Sequence, residues 1–317
     1  MLIQSIRTQR LDELTEPIDL LICACGYESR SIYIASKLEK QAKRKFAFGF
    51  TSQQVLFYSS NRTWFEEHGF IFVDTEDKNY ATSINDLLTA LPSSNEPIKL
   101  AIDISCLNRL RLAGLVNEIR CNRALDFLDI SFVYNLAKFS EPNSEYAPTS
   151  VAEPVTPEFS GWTTQPDLPP AAVIGLGYEE SRAIGIVDHL EINNAAWAFV
   201  PHGPIEDYSG SVDEANKSFY SMLSIEGRKL MYEVDDPASL FRELNSLIDS
   251  LKSKYNPIIV PFGPKIFALV SLLVASLQDE VGVWRVSSGL LEKPVDRKPS
   301  EHVTALRVLF AKTSNEQ

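Results

Sequence analysis

Two short stretches of the 317-residue sequence carry glycine, tyrosine, acid, hydroxyl and cation in one order: Gly26-Tyr27-Glu28-Ser29-Arg30 and Gly177-Tyr178-Glu179-Glu180-Ser181-Arg182. Each follows an apolar run and leads into an amphipathic segment. Glycine lets the backbone turn sharply at a strand end, the first amides of a helix attract an anion, and an arginine can fork onto phosphate. The same order also suits plain helix initiation, with Glu complementing the dipole, Ser capping and Arg pairing with its own Glu. Recurrence tilts the reading toward a ligand. The expected contacts are Gly26, Tyr27, Glu28 and Arg30 in one copy and Gly177, Tyr178, Glu179 and Arg182 in the other.

A second kind of turn appears at Val260-Pro261-Phe262-Gly263-Pro264-Lys265. Gly263 opens it, Pro264 presets a first helical turn, and Lys265 brings a cation to amides that already favour phosphate. It lacks the glycine spacing and hydroxyl of a Walker motif. The plain alternative is a proline-initiated helix with an exposed lysine. The equivalent place in the first half, Asp103-Ile104-Ser105-Cys106-Leu107-Asn108-Arg109, puts an acid and a hydroxyl before its cation. Ser105 and Arg109 are candidate ligand contacts. Asp103 can hold a ribose hydroxyl, bind a metal, act as a base, or cap the next helix. If the chain is an enzyme, Asp103, Glu28 and Glu179 are the acid–base candidates, with Lys265, Arg30 and Arg182 holding phosphate. Gly175-Leu176-Gly177 lacks the third glycine of a dinucleotide fingerprint, and no acid closes the next strand, so an NAD site is rejected.

The elements that must position these turns follow from hydropathy. Apolar runs at 18–24, 45–50, 70–74, 98–104 and 128–135 predict five strands. Helical periodicity between them predicts helices over 31–43, 53–68, 82–91 and 108–123. The second half repeats the order, with strands at 171–174, 195–200, 229–234, 257–261 and 282–286, a helix that follows the Gly177 turn and runs through Leu190, and helices at 212–223, 238–255 and 265–277. A last strand over 303–312 is expected to pair with its neighbour in that second sheet. Alternation of this kind predicts an α/β fold of two tandem Rossmann-like domains, each a mainly parallel five-stranded sheet flanked by helices. In a 3-2-1-4-5 order, the turns after the first and fourth strands flank the crevice where ligands sit. Seven prolines between 140 and 170 mark a linker or hairpin appendage at 141–170, between a first domain over 1–140 and a second over 171–317.

The totals exclude other classes. A net charge of −12 argues against a broad duplex nucleic-acid face, while a small anionic ligand in a local basic cleft is compatible with it. The cysteines at 23, 25, 106 and 121 and the histidines at 68, 189, 202 and 302 show no metal-ligand or triad spacing. No metal or cofactor is implied. No signal-peptide pattern and no apolar stretch of about 20 residues occurs, so a cytoplasmic protein without membrane contact is expected.

The Gly-x-Lys turn after a fourth strand resembles the CRISPR-associated Rossmann-fold sensors, whose fourth-strand loop carries a Gly-Gly-Thr-Lys-like turn. Gly263, Pro264 and Lys265 match it here, and the threonine is absent. Two such units in one chain look like the fused double-domain sensors of cyclic oligonucleotides in bacterial antiviral systems, in which a pseudo-twofold pair encloses the ligand. The resemblance implies a nucleotide-binding or sensing module that acts through a separate effector or partner subunit. The other readings are an enzyme acting on a nucleotide or phosphorylated small molecule, and a structural subunit of a larger complex.

Overall fold

A computed structural model of the chain describes all residues except 93, 95, 142–148, 180, 193, 224–226, 288–292 and 313–317. The chain divides into two compact units, one made of Met1–Lys138 with Pro294–Gln317 and one of Phe139–Lys293.

The first unit contains β1 (Leu2–Arg10), β2 (Ile18–Cys25), α1 (Tyr33–Leu38), β3 (Ala42–Phe50), α2 (Tyr58–Glu67) and β4 (Ile71–Thr75). It continues through α3 (Asp77–Thr89), β5 (Ile98–Asp103), α4 (Arg109–Cys121) and β6 (Phe127–Ala137). The second unit contains β7 (Val151–Pro154), β8 (Pro170–Gly175), α5 (Arg182–His189), β9 (Ala196–His202) and α6 (Glu206–Met222). There follow β10 (Lys229–Glu233), α7 (Pro237–Leu251), β11 (Asn256–Pro261), α8 (Lys265–Ala275) and β12 (Gly282–Ser287), and β13 (Pro299–Ala311) returns to the first unit.

The first sheet has seven strands in the order β1-β13-β6-β5-β2-β3-β4, and the second has six in the order β10-β9-β8-β11-β12-β7. Five strands in each run parallel, β6-β5-β2-β3-β4 and β10-β9-β8-β11-β12. Both parallel cores therefore have the 3-2-1-4-5 order expected from the alternating pattern. The central strands read as continuous apolar runs because both faces are covered. Of β2 only Asp19 is not fully buried, and the Cys23 and Cys25 thiols lie in its interior. Burial raises both thiol pKa values, that of Cys25 to about 12. They pack as small apolar groups.

Three expectations are corrected. The last strand does not join the second sheet: β13 lies between β6 and β1, antiparallel to both. The reason lies in β6, an 11-residue strand with nine buried residues, which cannot serve as a sheet edge. Ala305, Leu306, Val308 and Phe310 of β13 are buried where they meet it, and each full-sized side chain contributes about 1.5–3 kcal/mol of burial. The other edge of the second parallel core is taken by β7, which pairs antiparallel with β12. Within the proline-rich 141–170 stretch, Val151–Pro154 is thus a sheet edge of the second unit, and 294–317 belongs with the first. The helix expected to begin at Gln53 starts at Tyr58, because Gln53 and Leu56 adopt positive φ angles of 57° and 51°.

Candidate functional site

In the first unit the parallel order reverses between β2 and β5, and the Gly26 and Asp103 turns follow these two strands. Gly26 donates its N–H to Ser31 Oγ (3.0 Å), which in turn donates to the Ala24 carbonyl (2.9 Å). Arg30 is only 5% exposed. Its Nε donates to Glu28 Oε2 at 2.5 Å and its Nη1 to the Asn135 carbonyl at 2.8 Å. Burial acts to lower the Arg30 pKa, but Glu28, helped by Tyr134 and Cys106, holds it above its ordinary value. The carboxylate of Asp296 accepts from the Ser29 N–H (2.7 Å) and hydroxyl (3.1 Å). The helical start here is a four-residue 3-10 turn, 29–32, leading into the six residues of α1. In this unit Arg30 therefore pairs with its own Glu28, as the helix-initiation alternative has it, and the first amide of the turn meets a protein carboxylate.

The Asp103 turn is equally closed. Asp103 is 2% exposed and its Oδ1 accepts from the Ser105 N–H at 2.9 Å, while Ser105 Oγ accepts from the Asn135 N–H at 2.9 Å. The cap of α4 is Asn108, whose side chain accepts from the Arg111 N–H at 2.8 Å. Asp103 thus shapes the loop and does not cap the helix. Arg109 opens α4 and is partly exposed, as is Tyr27.

In the second unit the reversal lies between β8 and β11, which pair in parallel from Asn256–Pro170 to Pro261–Gly175. Gly175 accepts through its carbonyl from the N–H groups of Phe262 (2.8 Å) and Gly263 (3.0 Å), so the two turns are bonded to each other. A Cβ on Gly263 would run into the Leu176 carbonyl oxygen, which is why the position takes glycine. Gly177, Tyr178 and Glu179 rise from one strand and Gly263, Pro264 and Lys265 from its neighbour, all partly exposed. Pro264 is the cap of α8 and Lys265 its first residue, where the pattern places the helix start. Every residue of α8 beyond Lys265 is buried. The Glu179 carboxylate folds back over Gly177. Ser181 takes a left-handed φ of 62°, and Arg182 lines a groove with Thr149, Ser150, Gly185 and His189 on the β7 side. Glu180 lies outside the described residues.

The sequence reading missed a pair of asparagines. Asn61 of α2 donates through Nδ2 to the carbonyls of Gly26 and Glu28, both at 2.9 Å. Asn216 of α6 donates to the Gly177 carbonyl and to that of Val212, both at 2.8 Å. Each is 3% exposed and each sits on the second helix of its unit. Their matching position in the repeat was the available signal. Also missed was Arg111, 1% exposed, whose Nε donates to Asp77 (2.7 Å) and whose Nη2 donates to the Gly49 (3.1 Å) and Thr75 (2.6 Å) carbonyls. It ties the carboxyl ends of β3 and β4 to α4. Its spacing of four from Leu115 put it on the apolar stripe of α4.

Among the described residues no group of His, Cys, Asp and Glu is arranged to hold a metal ion, and no helix is long and apolar enough to cross a membrane.

No family model and no curated protein matches the chain. Among solved structures it is similar to a universal stress protein from Pseudomonas aeruginosa UCBPP-PA14, at 12% identity and a TM-score of 0.25 over 85% of this chain and 92% of that one. It is similar to the same degree, 12% and 0.25, to the cytoplasmic domain of a prokaryotic cation chloride cotransporter, over 86% and 97% of the two chains. Likeness at this level carries no argument about function.

Proposed function

We propose that the protein is a ligand-binding module whose second unit takes a small phosphorylated molecule, with a nucleotide as the class that fits best. The observation that carries this reading is the contact between the Gly177 and Gly263 turns at the point where the parallel order reverses, with α8 starting at Lys265. Crevices of this kind take ligands beyond the carboxyl ends of the strands. A lysine as the first residue of a helix opposes the dipole, and an anion bound at that end meets both the cation and the positive end of the dipole. The finer form of the proposal, a cyclic oligonucleotide read out through a separate partner protein, is supported by the Gly-Pro-Lys turn and the doubled architecture.

The test is calorimetry of the purified chain against linear and cyclic nucleotides, with chromatography of the recovered ligand. Binding without conversion is the expected outcome. Lys265→Ala is expected to lose about 1.5–3 kcal/mol of affinity, roughly tenfold to a hundredfold or more, with the melting temperature unchanged or slightly raised. Unchanged affinity with a lowered melting temperature would make Lys265 structural and remove the phosphate assignment. Conversion of the nucleotide would replace the binding module with an enzyme.

A further inference from the structure

Three aromatic rings line up beside the Gly177 turn within the second unit. Tyr178 stacks on Tyr208 with ring centroids 5.8 Å apart and planes 27° apart, and Tyr208 meets the edge of Phe139 at 5.1 Å and 85°. Tyr178 packs against the core of the unit, and both it and Tyr208 remain partly exposed. Its placement is fixed from two sides. Tyr178 follows Gly177, whose carbonyl is held by Asn216, and Tyr208 sits on α6, the helix that supplies Asn216. The next residue, Glu179, folds its carboxylate over Gly177. A carboxylate there repels phosphate and accepts hydrogen bonds from hydroxyl groups. Across the bonded turns, Lys265 has the opposite charge. One edge of the site thus holds aromatic rings and an acceptor, and the other a cation.

Resting on the phosphorylated-ligand reading above, we infer that the ligand is a nucleoside phosphate held in one direction. Its base stacks on the Tyr178–Tyr208 platform, its ribose hydroxyls donate to Glu179, and its phosphates point to Lys265 at the start of α8. The Gly177 turn then differs in role from the Gly-Pro-Lys turn, since the former receives the nucleoside and the latter the phosphate. Stacking of a base on an aromatic side chain is sequence-tolerant, so this platform selects a nucleoside phosphate over a sugar phosphate and discriminates weakly among bases.

The experiment titrates the full chain with ADP, GDP and inorganic pyrophosphate, in the wild type and in Tyr208→Ala, Tyr208→Leu and Lys265→Ala. Tyr208→Leu keeps apolar bulk against Phe139, so it reports on stacking if Tyr208→Ala fails to fold. The expected result is that both nucleotides bind the wild type more tightly than pyrophosphate does. Loss of the Tyr208 ring weakens both about 5- to 100-fold and leaves pyrophosphate unchanged, whereas Lys265→Ala weakens all three. Nucleotide affinity that falls in Lys265→Ala but not in either Tyr208 variant would overturn the platform and leave the phosphate site standing. Pyrophosphate bound as tightly as the nucleotides would overturn the nucleoside assignment in the same way. No binding of any of the three to the wild type would overturn both this inference and the reading on which it rests.

Discussion

The Gly26 and Gly177 turns are built from one sequence pattern and end as different objects. In the first unit each polar group of the turn is answered by the protein: Arg30 by Glu28 and Asn135, Ser29 by Asp296, and the Gly26 carbonyl by Asn61. In the second unit the asparagine survives, but the acid and the arginine part company. Glu179 lies over Gly177, while Arg182 turns to the groove beside β7. An extra position, Glu180, separates acid from Ser181 and Arg182 in the second copy, and Ser181 closes the added step with a left-handed backbone. One sequence pattern thus ends in two side-chain arrangements, in copies that differ in length by one residue.

The comparison is broken most directly at the two arginines. Arg30→Ala leaves the Glu28 side chain, 14% exposed, without its cation, and removal of one partner from a buried pair costs about 3–5 kcal/mol. Urea denaturation is expected to register that loss in Arg30→Ala and a loss below about 1 kcal/mol in Arg182→Ala. Equal losses would mean that the second arginine is as structural as the first. The asparagines sharpen what the copies share. Asn61→Ala and Asn216→Ala each strip buried carbonyls of their donor, and each is expected to cost about 1–3 kcal/mol in the same assay; a neutral Asn216→Ala would show that only the first turn is clamped. Within the first turn a smaller effect than at Arg30 or Asn61 is expected at Asp296, where Asp296→Ala removes the acceptor for the first amide of the 3-10 turn. That loss of a cap is worth about 0.5–2 kcal/mol, and a differential-scanning measurement should place it below the Arg30 variant.

Much of the architecture was legible because continuous apolar runs such as Leu20–Cys25 and Ile259–Pro261 alternate with amphipathic segments, and that alternation leaves few topologies. The partner of β13 was not legible. Its alternation announces a strand, but nothing local says that Leu306 will face Phe132 across more than a hundred intervening residues. The candidate site was half legible. Glycines and cations at strand ends can be read, since their chemistry is tied to the turn itself. Asn61, Asn216 and Arg111 are not tied to a turn, and because polar residues within helices usually face water, their signals were confined to the matching helix positions of the repeat and the apolar stripe of α4. The Arg30–Glu28 pair was visible as an alternative from the start, and the burial of Asn135 behind it decides the matter.

The position of β13 also sets an order of events during synthesis. Strand β6 acquires its second neighbour only when residues 299–311 have been made, and all of 139–293 is translated before that. At translation rates of roughly 5–20 residues per second, the incomplete first sheet waits for about 10–30 s with β6 at its edge. The second unit, contiguous from Phe139 to Lys293, has all its strands in hand before the first does. Birth order and completion order are therefore reversed, and the nascent chain is most exposed to wrong strand pairing along β6.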